Sequence, residues 1–579
     1  MDEHDLDGLP VLLIDCQASG ASPKHGHLID IAWAVTTASA LAAGEELECS
    51  STLVALPDGV TLPRKIERMT GISSQMLVGA PTFAEVALRL SEDLFDFVGE
   101  DGQVMLVPVA HYARYERPFV EQLLGEAGFT NPTPPFLCTH EIARRLMPGL
   151  PRRGLRALAG YFGEVLSEHK RAHVHVDATA IIWREIATMM AQEEGAETLG
   201  QVREWIARTK AKKGAPRTFP LPREERLGLP DVPGVYRMLG KSGAVLYVGK
   251  ATSLKQRVNS YFRGKKGGGE RKLEMATQVW SLDVTEVATP LEAALLEVAE
   301  IKRFEPPYNR QLRTAPERAI WFATASVPPE VSATRTADAV LGPFPRRDLL
   351  DALGGIFRGV DASPCELSWL YGLEEPDVFL AGVALWRAQE EVPELDGMTW
   401  DELVVLGLVY WERALVRRAE RALARGAEVE EVEAEEEEAD TPEEFVWTPE
   451  AVARTIEHVV MHVTRRARRA LFLQELVDAA VCWRPPRSDP EVGALRRVVM
   501  AGGAVASAEE LDGEEIVWEH TDDEVTREGL EFDVALYDRV GVLAGELRRL
   551  ARDADIVEVR LGSGEVLDRD GLRERMRWF

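Results

Sequence analysis

An acidic run in the last third of the chain limits what this sequence can fold into. Residues 428–444, EVEEVEAEEEEADTPEE, hold eleven acids and no Lys or Arg. Such a segment cannot bury enough apolar surface to offset the entropy of ordering it, and its charges repel one another into an extended form. The sequence therefore predicts separate folded parts joined by an acidic linker over 428–445.

Length and composition place the chain among multidomain globular proteins. Its 579 residues, 45% of them hydrophobic, are enough for three or four domains at roughly 100–200 residues each. No stretch reaches the ~18 apolar residues that a membrane span needs, and the polar N-terminus does not resemble a secretory signal. Five scattered cysteines without a C-x-x-C spacing predict neither disulfides nor a zinc site. We therefore expect no membrane partner and a cytoplasmic location.

The charge distribution indicates where a polyanion could bind. The net charge is −29, yet residues 226–313 contain fifteen Lys and Arg against nine Asp and Glu. The preceding stretch, residues 208–226, is basic and rich in Pro and Gly. Because a local basic region can bind phosphates in an otherwise acidic chain, the middle of the sequence is the predicted DNA-binding part.

Hydrophobic periodicity predicts an α/β multidomain chain. Strands are predicted over 9–16, 26–37 and 51–56, and helices over 82–98, 115–127, 139–147 and 177–192. The predicted parts are an α/β domain (1–195), a basic linker (196–225), a small α/β domain (226–315), a helical connecting region (316–427), the acidic linker (428–445) and a C-terminal domain (446–579). The last of these is predicted to be helical and to end in a small α/β module.

The segment 231–269 carries the strongest chemical signal. Tyr236 and Tyr247 stand at corresponding positions of two predicted strands, with Lys250 and Arg257 just beyond and Glu297 on a later helix. Phosphodiester hydrolysis needs a positioned water, a cation beside the developing charge and help for the leaving oxygen. Two phenols, a lysine, an arginine and one metal-binding carboxylate can supply these parts. Taken singly, each residue is better explained by a small sheet with ordinary core tyrosines and a basic face.

Together, these residues resemble the GIY-YIG nucleases, and within them the UvrC and Cho type. The matching motifs run through P-G-V-Y, V-L-Y-V-G-K-A, L-K-x-R-V-x-S-Y-F-R, E-A-x-L-L-E-x-x-x-I-K and P-x-Y-N-x-x-L-R within residues 233–313. The resemblance implies that Tyr236 helps to activate the water and that Tyr247 and Lys250 orient water and phosphate. It further implies that Arg257 stabilises the transition state and that Glu297 holds a single Mg²⁺ or Mn²⁺.

The same resemblance extends to DNA contacts. It implies that Asn309 supports the fold or the DNA, and we expect Arg263, Lys265 and Lys266 to contact DNA. Residues 341–365 and 376–388 are similar to the segments that follow the nuclease domain in UvrC. That family holds an iron–sulfur cluster on four cysteines near this point, whereas only Cys365 remains here, so no cluster is expected. The second, RNase H-like incision domain of UvrC is not recognisable in 446–579.

The N-terminal domain resembles DnaQ-type (DEDDh) 3′–5′ exonucleases, which have an RNase H-like α/β fold. The resemblance rests on the stretches that begin VLLIDCQASG (11), VAHYARYERPF (109) and HKRAHVHVDATA (169). Such enzymes hold two metal ions with four carboxylates and use a histidine as base. The four ligand positions correspond to Asp15, Gln17, Glu116 and Asp177.

The base position departs from this pattern. Five residues before Asp177 stands Ala172, flanked by His173 and, further on, His175. An amide at Gln17 is a weak, neutral ligand for Mg²⁺, and Glu116 adds a methylene. The exonuclease-type site is therefore predicted to be degenerate.

The resulting hypothesis is a metal-dependent DNA endonuclease of DNA repair, such as nucleotide-excision repair, with a largely inactive exonuclease-type domain. DNA is the expected partner, and other DNA-repair proteins are further candidates. Two alternatives stay open: an enzyme with both GIY-YIG endonuclease and 3′–5′ exonuclease activity, and a non-catalytic DNA-binding repair adaptor.

Overall fold

In a computed structural model, the chain divides into two units. The first unit comprises Met1–Ala293 and Phe304–Arg310, and the second comprises Ala294–Arg303 and Gln311–Phe579. The residues that the structure describes are 2–166, 170–212, 214–263, 269–312, 320–322, 331–332, 341–344, 353, 373, 375–390, 399–424, 446–485, 494–511, 516, 518 and 532–577. The acidic segment 428–444, Cys365, Lys265 and Lys266 lie outside these residues.

A five-stranded mixed sheet organises the first half of unit one. Its strands are β1 (Val11–Ala18), β2 (Leu28–Thr36), β3 (Cys49–Leu53), β4 (Val107–Ala110) and β5 (Leu137–Cys138), in the order β3-β2-β1-β4-β5. The pairs β1–β2 and β2–β3 are antiparallel, whereas β1–β4 and β4–β5 are parallel. All eight residues of β1 are buried, because both faces of this central strand are covered.

Helices cover both faces of this sheet. They are α1 (Ala38–Ala43), α2 (Arg64–Thr70), α3 (Phe83–Phe95), α4 (Ala113–Glu126), α5 (Thr139–Leu146), α6 (Leu155–Phe162), α7 (Ala172–Glu194) and α8 (Leu199–Arg208), with a 3₁₀ turn at Ser74–Leu77. Helix α7 packs on β1, β2 and β3, while α3 and α4 pack together against the core on the other face. The predicted strands and helices of this domain are confirmed.

The structure corrects the prediction for the N-terminal part of the basic linker. Residues 196–225 were expected to be a basic linker, but α8 is a helix whose Val202 and Trp205 join the core of the first domain. Its N-cap Thr198 and Gln201 form a capping box, so the helix begins at a defined residue. The amphipathic spacing of these apolar residues overrides the basic composition, and the first domain extends to about Arg208.

A second, smaller sheet completes unit one. Its strands β6 (Gly234–Leu239), β7 (Val245–Ala251) and β8 (Ser281–Glu286) are antiparallel in the order β7-β6-β8. The accompanying helices are α9 (Arg223–Leu227), α10 (Leu254–Phe262), α11 (Glu270–Gln278) and α12 (Pro290–Phe304). Residues 294–303 of α12 group with the second unit. The two predicted strands that carry Tyr236 and Tyr247, and the later helix that carries Glu297, are confirmed.

Helices α6 and α11 join the two sheets of unit one. They pack closely because Gly160 of α6 lies against the side chain of Gln278: a Cβ at this glycine would come within 1.8 Å of the Gln278 Oε1 atom. The indole Nε1 of Trp280 donates a hydrogen bond of 2.9 Å to the Tyr161 carbonyl oxygen. The exonuclease-type and GIY-YIG parts therefore share a packed interface rather than a flexible tether.

The described part of unit two begins with strands and helices. Short strands β9 (Ile320–Phe322), β10 (Val331–Ser332) and β11 (Leu341–Phe344) form an antiparallel sheet, followed by α13 (Pro376–Gln389), α14 (Trp400–Ala424) and α15 (Pro449–Glu475). Helices α13 and α14 pack on α15, and Trp386 donates a 2.7 Å hydrogen bond to Tyr410 within this core. Among the described residues of 316–427, helices lie at 376–389 and 400–424, and the three short strands that precede them were not predicted.

The C-terminal part of unit two is an antiparallel sheet with two helices. Strands β12 (Ala480–Trp483), β13 (Leu495–Ala501), β14 (Ala504–Leu511), β15 (Val557–Arg560) and β16 (Val566–Leu567) lie in the order β14-β13-β12-β15-β16, with α16 (Val534–Asp553) and α17 (Arg569–Met576). The α/β end module is confirmed, but four of the five strands in this sheet, β12, β13, β14 and β16, were not predicted. None of the described helices combines the length and apolar character that a bilayer crossing demands.

Candidate active sites

Three tyrosines meet on the small sheet and the helix that follows it. The Tyr236 and Tyr261 hydroxyl oxygens are 2.8 Å apart, and the rings of Tyr236, Tyr247 and Tyr261 lie with centroids 5.9 to 6.1 Å from one another. Tyr236 is fully buried, and burial, followed by its two tyrosine neighbours, raises its pKa well above the ordinary value. Its phenol is therefore protonated near neutral pH and acts through hydrogen bonds.

A glycine makes this cluster possible. Gly249 pairs directly with Tyr236 across the β6–β7 ladder. A Cβ at Gly249 would lie 2.4 Å from the Tyr236 hydroxyl oxygen and 2.7 Å from Cε1 of Tyr247. Real Cβ atoms do not approach other atoms so closely, so both rings depend on the missing side chain. The glycine of the V-L-Y-V-G-K-A motif is therefore required because any side chain there would clash with the two tyrosine rings.

Basic side chains stand beside the tyrosine cluster. The Arg257 guanidinium lies 5.7 Å from the ring centroid of Tyr261, and its pKa is raised chiefly by the neighbouring Tyr236. Arg257 is exposed and four residues before Tyr261 on α10, so both side chains lie on one face of the helix. Lys250 follows Gly249 on β7 and is half-buried. Three of the predicted residues, Tyr236, Tyr247 and Arg257, thus lie together, and Lys250 is the next residue after Gly249 along β7.

Asn309 holds the edge strand β7 through two hydrogen bonds to the Val248 backbone. Its amide Oδ1 accepts from the Val248 backbone N–H at 3.0 Å and its Nδ2 donates to the Val248 carbonyl at 2.9 Å. The buried amide therefore completes the outer edge of β7, next to Tyr247 and Gly249. Of the remaining predicted residues, Glu297 is half-buried on α12, and Arg263 is exposed at the end of α10.

A cleft of about 590 Å³ marks the exonuclease-type domain. Residues from β1, α4, α6, α7 and α11 line it. The lining residues are Asp15, Cys16, Gln17, His111, Tyr112, Arg114, Tyr115, Glu116, Gly154, Leu155, Arg156, Leu166, Lys170, Val174, His175 and Glu274. Three of the predicted degenerate-site residues, Asp15, Gln17 and Glu116, are therefore together.

A hydrogen-bonded triad occupies the floor of this cleft. Gln17 Nε2 lies 2.6 Å from Asp15 Oδ2 and 3.3 Å from His175 Nδ1, and His175 Nδ1 lies 3.2 Å from Asp15 Oδ1. Both carboxylate oxygens of Asp15 accept from neighbouring side chains in this arrangement. The only carboxylate of the triad is thus satisfied by protein donors.

Glu116 is the second acid of the cleft. It is 4% exposed, and burial, followed by the nearby Asp15 charge, raises its pKa to about 9. One of its oxygens, Oε2, has no hydrogen-bond partner in the described residues. Near pH 7 this side chain is therefore a neutral carboxylic acid, because a second negative charge beside Asp15 in a dry cleft is unfavourable.

The last predicted ligand position requires a correction. Asp177 is exposed and lies beside Cys49 of β3, whose pKa is raised to about 11 by burial and then by Asp177. His173 lies beside Asp177 as well. Neither residue lines the cleft; His175 does. Residues two apart on a helix point about 200° apart, and the buried side chains of α7 turn His175 towards Asp15 and Asp177 away from it.

The base position changes with this register. Ala172 is fully buried, and its backbone N–H donates to Asp30 Oδ2 at 2.9 Å, so it belongs to the core. Counting the same five residues back from His175 leads to Lys170, which lines the cleft. A lysine therefore stands where this class of site has its histidine base.

This donor set does not fit two divalent cations. Such a pair of ions needs several ionised carboxylates within reach of each other. Here, Asp15 is bonded to an amide and an imidazole, Gln17 contributes no charge, and the fourth position is a histidine. Over the described ranges, no group of three or more His, Cys, Asp and Glu side chains is arranged to hold a metal ion.

Sequence reasoning missed four residues of these sites: Tyr261, Arg156, Lys170 and Glu274. Tyr261 could have been found from its i, i+4 spacing to Arg257 on a predicted helix. Lys170 could have been found by testing both helical registers around His175. Arg156 and Glu274 meet only because α6 packs on α11, and no local signal predicts that contact.

The fold and the two sites define a chain with two nuclease-family domains. Residues 12–180 match the family model described as an exonuclease, and residues 232–310 match the UvrC-like GIY-YIG domain. The predicted resemblances to both families are thereby confirmed.

Known relatives share parts of this architecture. The chain is 32% identical over 292 residues to a bifunctional exonuclease/endonuclease protein of Mycobacterium tuberculosis, a match covering 50% of this chain and 42% of the relative. It is 41% identical over 134 residues to the UvrABC system protein C of Erwinia tasmaniensis, covering 22% of each. The chain thus spans less than half the length of these relatives.

Among solved structures, the GIY-YIG N-terminal endonuclease domain of UvrC from Thermotoga maritima, bound to its catalytic divalent cation magnesium, is 33% identical. That match covers 15% of this chain and 93% of that domain, with a TM-score of 0.14.

Proposed function

We propose that the chain is a metal-dependent DNA endonuclease whose phosphodiester hydrolysis takes place at the GIY-YIG site. One observation carries this proposal: Gly249 allows Tyr236 and Tyr247 to approach, and Arg257 stands beside them. Phenol hydroxyls can orient an attacking water, and an exposed guanidinium can bind the oxygens on which negative charge develops. The exposed Arg257 and Arg263 also offer phosphate contacts on one helix.

A single divalent cation is the metal ion that we propose for this chemistry. Mg²⁺ is commonly held by one or two carboxylates, with waters and substrate phosphates completing its octahedron. Glu297, a half-buried acid of the matched domain, is the residue that would hold it, and the bound ion would neutralise charge on the phosphate. Tyr236, Tyr247 and Arg257 would position water and phosphate without forming a covalent bond.

We further propose that the enzyme acts in DNA repair and that its exonuclease-type domain hydrolyses no DNA. The similarity to UvrABC system protein C over the GIY-YIG part supports the repair role. The hydrogen-bonded triad of Asp15, Gln17 and His175, which has one carboxylate where the family has several, supports the loss of exonuclease chemistry. DNA is the substrate, and other repair proteins are candidate partners.

Incision by purified variants tests the endonuclease proposal. Nicked, gapped, branched and damaged duplexes are incubated with the protein and Mg²⁺ or Mn²⁺. Glu297→Gln and Arg257→Ala are each expected to lower the incision rate by roughly 10²–10³, as losses of a metal ligand or of an oxyanion partner do. Lys255→Ala is the matched control, because this exposed residue lies on α10 but two positions from Arg257, on the other side of the helix. Incision at the wild-type rate by both site variants would disprove the assignment.

A second candidate function is 3′–5′ exonuclease activity in addition to incision. The bifunctional name of the Mycobacterium tuberculosis relative favours it. The test is nucleotide release from a 3′-labelled single strand in the Glu297→Gln background, where the other site is silent. Release that Asp15→Ala abolishes would establish this second activity and refute the inactive reading of the cleft.

A further inference from the structure

The hydrophobic core of the GIY-YIG domain includes side chains from outside that domain. Val165, which follows α6, and Phe219 of the basic segment pack against the buried cluster that contains Tyr236. The Trp280 indole, which donates to the Tyr161 carbonyl oxygen, also lies 5.4 Å from the Tyr161 ring, measured between ring centroids. The exonuclease-type domain therefore supplies part of the packing on which the small sheet rests.

Arg156 of α6 makes the most specific of these contacts. Its guanidinium lies 4.4 Å from the ring centroid of Tyr308, a residue of the P-x-Y-N-x-x-L-R motif that is 5% exposed. The Nε and Nη2 atoms of Arg156 are buried and have no hydrogen-bond partner among the residues that the structure describes. A cation is attracted more strongly to an aromatic face when both are removed from water. Arg156 is therefore held chiefly by the Tyr308 ring.

Glu274 connects these two side chains. The Tyr308 hydroxyl donates to Glu274 Oε1 at 2.8 Å and accepts from Gln278 Nε2. The same Glu274 oxygen lies 3.7 Å from Arg156 Nη1, a distance that allows an ion pair but no hydrogen bond. The Tyr308 side chain is thus fixed at its ring face by the exonuclease-type domain and at its hydroxyl by α11 of the GIY-YIG domain.

The backbone at Tyr308 is bonded to the strand that carries Tyr247. The Tyr308 N–H donates to the Leu246 carbonyl oxygen at 3.1 Å, and the next residue, Asn309, bonds both backbone groups of Val248. Tyr247 lies between these two bonded positions of β7. A displacement of residues 308–309 therefore moves the part of β7 that belongs to the proposed active site.

We propose that the exonuclease-type domain acts as a positioning platform for the GIY-YIG site, and that Arg156 is the residue through which it fixes Tyr308 and β7. This inference rests on the proposed endonuclease function and gives the exonuclease-type domain a role in incision. In this role, Arg156 touches neither the DNA nor the reacting atoms. Because a misplacement of about 1 Å far from the chemistry can cost about 10²-fold in rate, a small shift of β7 is measurable.

Single-turnover incision by the full chain, with the dissociation constant for DNA measured in parallel, tests this role. Arg156→Gln is expected to lower the incision rate at saturating DNA roughly 10- to 100-fold and to leave the dissociation constant unchanged, because geometry is lost and not a DNA contact. Arg156→Lys keeps a cation over the Tyr308 ring and is expected to recover most of the rate.

The matched control is Arg152→Gln. Arg152 lies at the same junction, yet its ion pair is with the exposed Glu270, at 2.9 Å, and not with Glu274. Its substitution should leave the incision rate unchanged. A wild-type rate in Arg156→Gln, or an equal loss of rate in Arg152→Gln, would overturn the proposal. Weaker DNA binding by Arg156→Gln at an unchanged rate would also overturn it, since Arg156 would then be a DNA contact.

Hydrogen exchange of the same variants, without DNA or metal ions, separates this proposal from the endonuclease function. The amides of Val248 and Tyr308 are both bonded across the contact of β7 with residues 308–309. Arg156→Gln should speed exchange in the peptides that contain them by roughly 10-fold, the effect of losing a desolvated cation–π contact, whereas Arg152→Gln should not.

The two proposals can then fail separately. If the wild type cuts no DNA, the endonuclease proposal fails, and faster exchange in Arg156→Gln still supports Arg156 as the residue that holds β7. If exchange in Arg156→Gln equals that of the wild type, the platform proposal is wrong, whatever the incision rate.

Discussion

Replacing Glu116 by glutamine should stabilise the first domain, and the gain should grow with pH. The unfolded chain releases the Glu116 proton near pH 4.5, whereas the native cleft keeps it to about pH 9. Between these values the native state binds the extra proton, so native stability falls by about 1.4 kcal/mol for each pH unit. At pH 7 the accumulated loss is about 3 kcal/mol. An uncharged isostere does not suffer this loss.

The expected result follows from these magnitudes. Glu116→Gln should match the wild type near pH 4.5 and exceed it by about 3 kcal/mol at pH 7, with a larger gain at pH 8. For a domain of this size, about 3 kcal/mol corresponds to a rise in melting temperature of about 6–12 °C. The amide is also compatible with the site, because its NH₂ group can donate to the nearby Asp15 carboxylate.

Differential scanning calorimetry of the full chain, repeated from pH 5 to pH 8, measures the transition of the first domain. The control is Glu121→Gln on the same helix, whose exposed side chain pairs with Arg117 at 2.7 Å and should change stability by no more than about 0.5 kcal/mol, without the pH trend. A melting temperature for Glu116→Gln within about 2 °C of the wild type at pH 7, or a difference independent of pH, would refute the buried, neutral state of Glu116.

Three further outcomes are expected. Gly249→Ala should lower incision by at least about 10²-fold with DNA affinity retained, because its methyl group would displace the Tyr236 ring; incision assays and gel shifts check this. Combining Gln17→Glu, His175→Asp and Lys170→His should create measurable 3′–5′ nucleotide release, more with Mn²⁺ than with Mg²⁺. Gln17→Glu alone should create none. If the triple variant releases no nucleotides, His175 and Lys170 do not stand at the ligand and base positions. DNA binding should weaken with salt at a log–log slope of about −0.9 per phosphate contacted, and a flat salt titration would argue against binding through the basic middle of the chain.

Local patterns were sufficient for much of this molecule. The continuous apolar run of β1 predicted a buried strand, and the corresponding positions of Tyr236 and Tyr247 predicted two neighbouring strands. The GIY-YIG motif residues lie in one short segment, so their spacing alone placed Tyr236, Tyr247, Lys250 and Arg257 on adjacent elements.

Other assignments required the tertiary structure. The strand β14 is exposed and partly polar, β12 has only four residues, and the helix α8 lies in a stretch of basic composition. Pairing or packing with other segments determines these elements. Propensity is a weak signal for such elements, since burial on one face can override it.

The exonuclease-type site shows most clearly which features the sequence determines and which need the tertiary structure. The sequence determined that Gln17 replaces an acid next to Asp15, because strand alternation puts positions 15 and 17 on the same face. It could not determine whether His175 or Asp177 faces them, since a helix can present either residue until its rotation is fixed. Only the packing of α7 on the sheet fixes that rotation, and only the contact of α6 with α11 brings Glu274 to Arg156. Both depend on contacts between residues far apart in the chain, which no local pattern encodes.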